Sequence, residues 1–358
     1  MSTQLEALER ASGAVFAPFT DRLLPARFTT VREEWAAVRR RCGLLDAGFR
    51  ALLRLTGSDR VTFLHGMLSN DVARLKTGEG TYAALLTQQG KVVSDLRVYA
   101  VPDELWLDVP ATRAAAVREN LERYIIADDV EFSPDYDWAP LVTLEGPLAD
   151  RVIVAVAGES VAGLPPFAHR ELTFDGTKIR VVATSHTGET GYVLIGDPAT
   201  ASMLWQHCRA AGAEPVGMEA LNVLRTEAGV AWYGRDFDDS TLISEVGLET
   251  AISYKKGCYL GQEVVERVAA RGQVHRKLVG LVCEGQQVPP PDTKLMRDDK
   301  EVGWITSAVW SPARAAVIAL GYARRECWEV GTELQLAIPE SAVVARVVAL
   351  PFLQVSSV

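Results

Sequence analysis

Cysteine is scarce in this 358-residue chain: five in all, Cys42, Cys208, Cys258, Cys283 and Cys327, odd in number and widely spread. There is no CxxC and no His-paired spacing, so neither a zinc module nor a disulfide framework can be read, and no metal site is expected. The setting implied is reducing and cytoplasmic. Long apolar runs are also missing, none approaching the roughly 18–20 residues needed to span a bilayer. The N-terminal MSTQLEALERASGAVFAPF has no basic n-region and no continuous apolar stretch, so no membrane association is expected. Positive charge is in deficit, with 37 Lys and Arg against 46 Asp and Glu and a net charge of −9. Counterion release needs a basic face, which excludes general nucleic-acid binding. What remains is ordinary globular material, 48% apolar and long enough for two or three domains of roughly 100–200 residues each.

ALLRLTG (51–57) alternates as a strand, and SDRVTFLHGML (58–68) reads as a helix capped by Ser58. Residues 78–109 read as strands broken at Gly90 and at Pro102-Asp103, and 111–126 as a helix with Pro110 near its first turn. The order then recurs. LTGSDR (55–60) is echoed by LEGPLADR (144–151), and VPATRAAAV (109–117) by DPATASMLW (197–205). The recurrence implies two βαββα units, a duplicated ferredoxin-like α+β architecture. A helix-like GMEALNVLRTEAG (217–229) follows. From about Lys277 at least five short strands, punctuated by PPPD, SPAR and IPES, imply a small C-terminal β-barrel. The expected domains are 1–137 plus 216–272, then 138–215, then 273–358.

One stretch carries chemistry, KKGCYLGQEVVERVAARG (255–272). Gly257 and Gly261 bracket Cys258, and QEVVERVAAR has helical spacing up to Gly272, a C′ residue. Cys258 therefore precedes a helix N-terminus, beside Lys255 and Lys256, surroundings that favour a thiolate. A half-buried structural cysteine fits the same letters.

This stretch resembles the hallmark motif of the YgfZ-type folate-binding proteins, a branch of the glycine-cleavage T-protein (aminomethyltransferase, GcvT-like) superfamily, with Arg267 as the trailing base. The resemblance implies three domains around a central cavity and tetrahydrofolate as ligand. It further implies a role in assembling or repairing iron–sulfur clusters, with iron–sulfur client proteins as partners and Cys258 as the reactive group. GKVVSDLRVY (90–99) is similar to the T-protein segment whose aspartate lies near the reactive nitrogens of the folate, making Asp95 a catalytic and folate-binding candidate. HTGETGYVLI (186–195) resembles the pattern whose glutamate binds the pterin, here Glu189. VLRTEAGVAWYGRD (223–236) resembles a segment shared by both branches, which implies Arg225 as a folate or carboxylate partner, and Tyr82 is expected to stack or hydrogen-bond at the same cavity. Lys255, Lys256, Arg267, Arg271, Arg276 and Lys277 form a basic cluster suited to glutamate-tail carboxylates or to an acidic or RNA partner, and a solvated helix face fits the same letters.

The alternative is a T-protein-like aminomethyltransferase that moves a one-carbon unit to tetrahydrofolate. Against it stand Ser94, where T-proteins carry the first of two acids, and the cysteine motif itself. A flavin-dependent relative is disfavoured because no GxGxxG follows a strand.

Overall fold

Residues Arg50–Thr56 alternate as the sequence requires, with Leu53 and Leu55 on one face and Leu52 on the other. The computed structural model describes residues 3–19, 22–133, 138–272, 274–338 and 341–354; the side chain of Arg271 lies outside what is described. Arg50–Thr56 is followed by the helix Arg60–Met67, then by strands Gly80–Leu86, Val92–Val101 and Glu104–Pro110, then by the helix Ala114–Glu122. The turns at Gly90 and Pro102-Asp103 thus leave three strands between the helices, so the unit is βαβββα. The sheet is antiparallel, in the order 80–86, 92–101, 104–110, 50–56, with Glu131–Phe132 at its edge. Phe63, Leu64 and Met67 of one helix and Val117 and Leu121 of the other cover Leu53, Leu55, Leu96 and Val98. Ser58 does not cap the first helix. Asp59 holds the N-cap position, and its carboxylate instead accepts from the backbone N–H of Asp129 at 2.9 Å.

The same order returns in Ala139–Glu145, helix Ala149–Ala157, strands His169–Phe174, Thr177–Ala183 and Gly191–Gly196, and helix Ala201–Ala210. Both second helices begin as a 3-10 turn at the PAT sequence, over 111–113 and 198–200. The second sheet repeats the strand order of the first. It is then extended by Gly43–Asp46, antiparallel to Ala139–Glu145, and by Glu214–Pro215, parallel to Gly43–Asp46. The N-terminal helix Thr3–Ala11 buries Leu5 in the same core, against Leu204 and Trp205. Helices cover one face of each sheet, and the bare faces meet. Leu52, Tyr99, Val101 and Trp106 pack there against Val182, Val193 and Ile195.

The helix Met218–Glu227 packs against strand Arg22–Arg27 and helix Val31–Arg40 and seats the barrel. Arg225 is fully buried and ion-paired with Asp236; it also donates to Ser307 Oγ (2.6 Å) on a barrel strand and to Asn222 Oδ1. The barrel is closed by six antiparallel strands: Arg276–Cys283, Lys294–Arg297, Lys300–Ser311, Ala316–Arg324, Glu333–Ile338 and Ser341–Val348. Among the described residues no helix is long and apolar enough to cross a membrane.

Removing one partner of a buried ion pair strands the other charge, so Arg225→Ala should lower the free energy of unfolding by about 3–5 kcal/mol. Trp205, 1% exposed in the second core, should cost a similar amount, about 3–5 kcal/mol, when replaced by alanine. Urea titrations followed by far-UV circular dichroism check both.

Candidate functional site

Where the two sheets and the barrel meet, they leave a cavity of about 1670 Å³, larger than the roughly 300–1,000 Å³ of ordinary small-molecule sites. Tyr82, Asp95 and Arg97 come from the first sheet, and Ala183 to His186 and Tyr192 from the second. The 229–235 segment adds Trp232 and Tyr233, and the barrel adds Lys277 to Gly280 and Leu350. All three parts of the fold therefore contribute wall.

Asp95 and Tyr82 are brought together as expected. They lie on neighbouring strands, and the Tyr82 hydroxyl donates to Asp95 Oδ2 at 3.0 Å. Asp95 Oδ1 is buried with no hydrogen-bond partner among the described residues. A carboxylate oxygen in that state is an acceptor awaiting a donor. Tyr82 also stacks on Phe167 of the second unit, ring centroids 6.2 Å apart. Burial and the adjacent Asp95 push the phenol well above its ordinary range, so it stays protonated and donates. Strand alternation disposes of the Ser94 objection. Ser94 is fully buried, on the face that carries Leu96 and Val98 beneath the helices, whereas Asp95 faces the cavity. An acid at position 94 would not reach the cavity.

The other expected residues lie outside the wall. Arg225 is spent on Asp236 and the barrel, as described above. Glu189 is on the predicted loop, but its carboxylate turns to Arg39, 2.9 Å away. Lys256 has its ammonium engaged by backbone carbonyls: it donates to those of His65, Leu68 and Asn70, closing the C-terminus of helix Arg60–Met67. Burial pushes this amine down to about 8. Arg267 is exposed on helix Gln262–Arg271. Cys258 is exposed too, three residues ahead of the N-cap Gly261, and is not part of the cavity wall.

The glycines of that motif have an architectural reason. Gly261 has φ +86, and a Cβ there would meet Thr87 O at 2.5 Å; Gly90, at the same turn, has Val264 Cβ 2.8 Å from where its own Cβ would lie. The motif thus docks helix Gln262–Arg271 onto the hairpin turn between the strands that carry Tyr82 and Asp95.

Sequence reasoning missed a buried ionic chain beneath the cavity. Asp108 accepts from Arg50 Nε (2.7 Å), Arg97 Nη1 (3.0 Å) and the Tyr99 hydroxyl (2.9 Å). Burial alone would raise the Asp108 carboxyl, but the two guanidinium groups hold it below its usual range. Arg97 Nη1 also lies 3.1 Å from His186 Nε2. Guanidinium can only donate, so Nε2 accepts and Nδ1 carries the proton towards Glu145 Oε1 at 3.1 Å. Burial, Arg97 and Arg50 hold His186 far below its ordinary range, hence neutral. Burial pushes Glu145 up to about 7, opposed by donors from His186, Thr187 and Ser185. The available signal was a charge at an inward position of an apolar run, as in DLRVYAV and LWLDV.

Family comparison places this geometry. Residues 5–256 match the GCVT N-terminal domain, and 276–354 the glycine cleavage T-protein C-terminal barrel domain. The chain is 32% identical to an aminomethyltransferase of Synechococcus sp. (strain RCC307), over 98% of each chain. It is also 32% identical to one of Rubrobacter xylanophilus, covering 98% of this chain and 93% of the relative. The solved structure of glycine cleavage system aminomethyltransferase T from Bartonella henselae superposes with a TM-score of 0.91, covering 99% of this chain and 98% of that one at 24% identity, a likeness of fold. These relatives overturn the iron–sulfur maturation reading and the YgfZ-type assignment: proteins matched along nearly the whole chain are named aminomethyltransferase. Tetrahydrofolate is the substrate and one-carbon carrier of this group. With both its N-terminal domain and its barrel matched, the chain belongs to the glycine cleavage T-protein family.

Proposed function

We propose that the protein is an aminomethyltransferase that passes a one-carbon unit to tetrahydrofolate bound in the central cavity. The observation that carries this is Asp95, a carboxylate in the cavity wall with Oδ2 tied to Tyr82 and Oδ1 buried without a partner. A reduced folate offers N–H donors at the nitrogens that receive the carbon, and such a donor would complete Asp95. In the reaction a lipoyl-S-CH2-NH2 carrier loses its C–S and C–N bonds, and the methylene becomes bonded to two folate nitrogens. The two protons those nitrogens give up leave on ammonia and on the carrier sulfur. Asp95 would orient the attacking nitrogen and accept its proton, and Tyr82 would hold the carboxylate in place. Positioned general acid–base groups of this kind contribute about 10²–10⁴-fold.

For the glutamate tail, Arg113, Arg235 and Lys277 line the same cavity, and among the described residues none of the three makes an ion pair. Arg113 is steadied by Val93 O at 2.9 Å and by the Tyr233 ring, 4.5 Å away. These cations suit the tail better than Lys256 and Arg267, whose side chains lie elsewhere.

Asp95→Asn keeps the shape and removes the base. It should bind tetrahydrofolate within a few-fold of the wild type while ammonia release from an aminomethyl-lipoyl carrier falls about 10²–10⁴-fold. Wild-type turnover in Asp95→Asn, or none in the parent protein, would count against the assignment. Cys258→Ala should leave turnover unchanged in the same assay, because the sulfur lies outside the cavity wall.

A further inference from the structure

We propose that Glu145 and Arg39 are positioning residues that hold the 184–191 loop from two sides and so set the folate-binding wall. The inference rests on the reading of the cavity as the folate site. Thr184, Ser185, His186, Thr190 and Gly191 of this loop face the cavity, whereas neither Glu145 nor Arg39 does.

Glu145 ends the strand Ala139–Glu145 and is fully buried. Its Oε2 accepts from the hydroxyls of Ser185 and Thr187, each at 2.8 Å. Its Oε1 accepts from the backbone N–H of His186 at 2.9 Å and from the His186 ring. Four donors from three successive residues converge on one carboxylate, which leaves that part of the loop a single conformation. The fit is close enough that a Cβ at Gly191 would lie 2.7 Å from Glu145 Oε2.

Arg39 holds the other side. Its Nη1 donates to Glu189 Oε1 at 2.9 Å and to Thr187 O at 3.1 Å. Its Nη2 donates to Glu227 Oε2 at 2.7 Å. Glu227 in turn accepts from Trp35 Nε1 at 2.8 Å and from Ser311 Oγ at 2.5 Å. The loop is thereby referred to helix Val31–Arg40, helix Met218–Glu227 and the barrel at once. Glu145 fixes the loop to its own sheet, and Arg39 ties it to the other parts of the fold, so the walls stand in fixed relation; preorganisation of that kind is worth affinity. Glu189 serves the wall through Arg39.

The test uses Thr187→Val, which keeps side-chain volume and removes one donor to Glu145, and Arg39→Met, which removes the second anchor. Tetrahydrofolate binding is followed by calorimetry, and folding by far-UV circular dichroism and melting temperature. Each folded variant should bind about tenfold or more weakly, as expected for losing a hydrogen bond to a charged group. The double variant should lose less than the two effects summed, because both anchors act on one loop. A merely structural role would lower melting temperature and leave the affinity of the folded protein unchanged, and that result overturns the proposal while sparing the folate reading. A wild-type protein that binds no tetrahydrofolate overturns both.

Discussion

Charge buried between two sheets is the constraint from which the rest of the molecule follows. Each ion moved out of water costs several kcal/mol unless partners replace its hydration. Arg50, Arg97, Asp108, His186 and Glu145 are all 8% exposed or less except Arg97 at 9%. Every one of them is matched, and the matching runs across the junction, from Asp108 on the first sheet through Arg97 to His186 and Glu145 on the second. Slipping either sheet by one residue would turn these side chains to the opposite face and leave several unpaired. The apolar contacts of Tyr99 and Trp106 with Val182, Val193 and Ile195 supply adhesion. The ionic chain supplies register.

Register then determines what the cavity offers. Asp95, Arg97 and Tyr99 share one face of a strand, so fixing Arg97 and Tyr99 in the ionic chain also fixes the direction of Asp95 two residues away. The turn ahead of that strand is braced by Gly261 and Val264. Together these supports fix where the Asp95 carboxylate sits in the cavity wall. The motif around Cys258 thus acts on the cavity wall through packing, with Cys258 itself exposed.

Much of this was legible in the letters. Alternation punctuated by PPPD, SPAR and IPES gave five barrel strands, and the repeated PAT marked the duplication. Lys294–Arg297 was missed because four residues, two of them cationic, carry no periodicity. Gly43–Asp46 was assigned no element for a similar reason: a run buried on both faces does not alternate. That Tyr82 and Asp95 share one cavity was readable from the family resemblance, which pointed both at it. The ionic chain was not, because its pairs are 9 to 89 residues apart and exist only once both sheets are assembled. Lys256 misled for the converse reason. Adjacency in sequence placed it by the thiol, while its four-carbon stem reaches the end of another helix.

A chamber bounded by both sheets and the barrel is also a joint among three bodies. A guest seated there touches all of them, so any hinge that parts one body from the others must first release the guest. Occupancy should then suppress partial opening anywhere along the chain, and bound protein should resist proteases even at cuts remote from the chamber. Conversely, no fragment lacking one body encloses the chamber, which ties occupancy to the presence of all three.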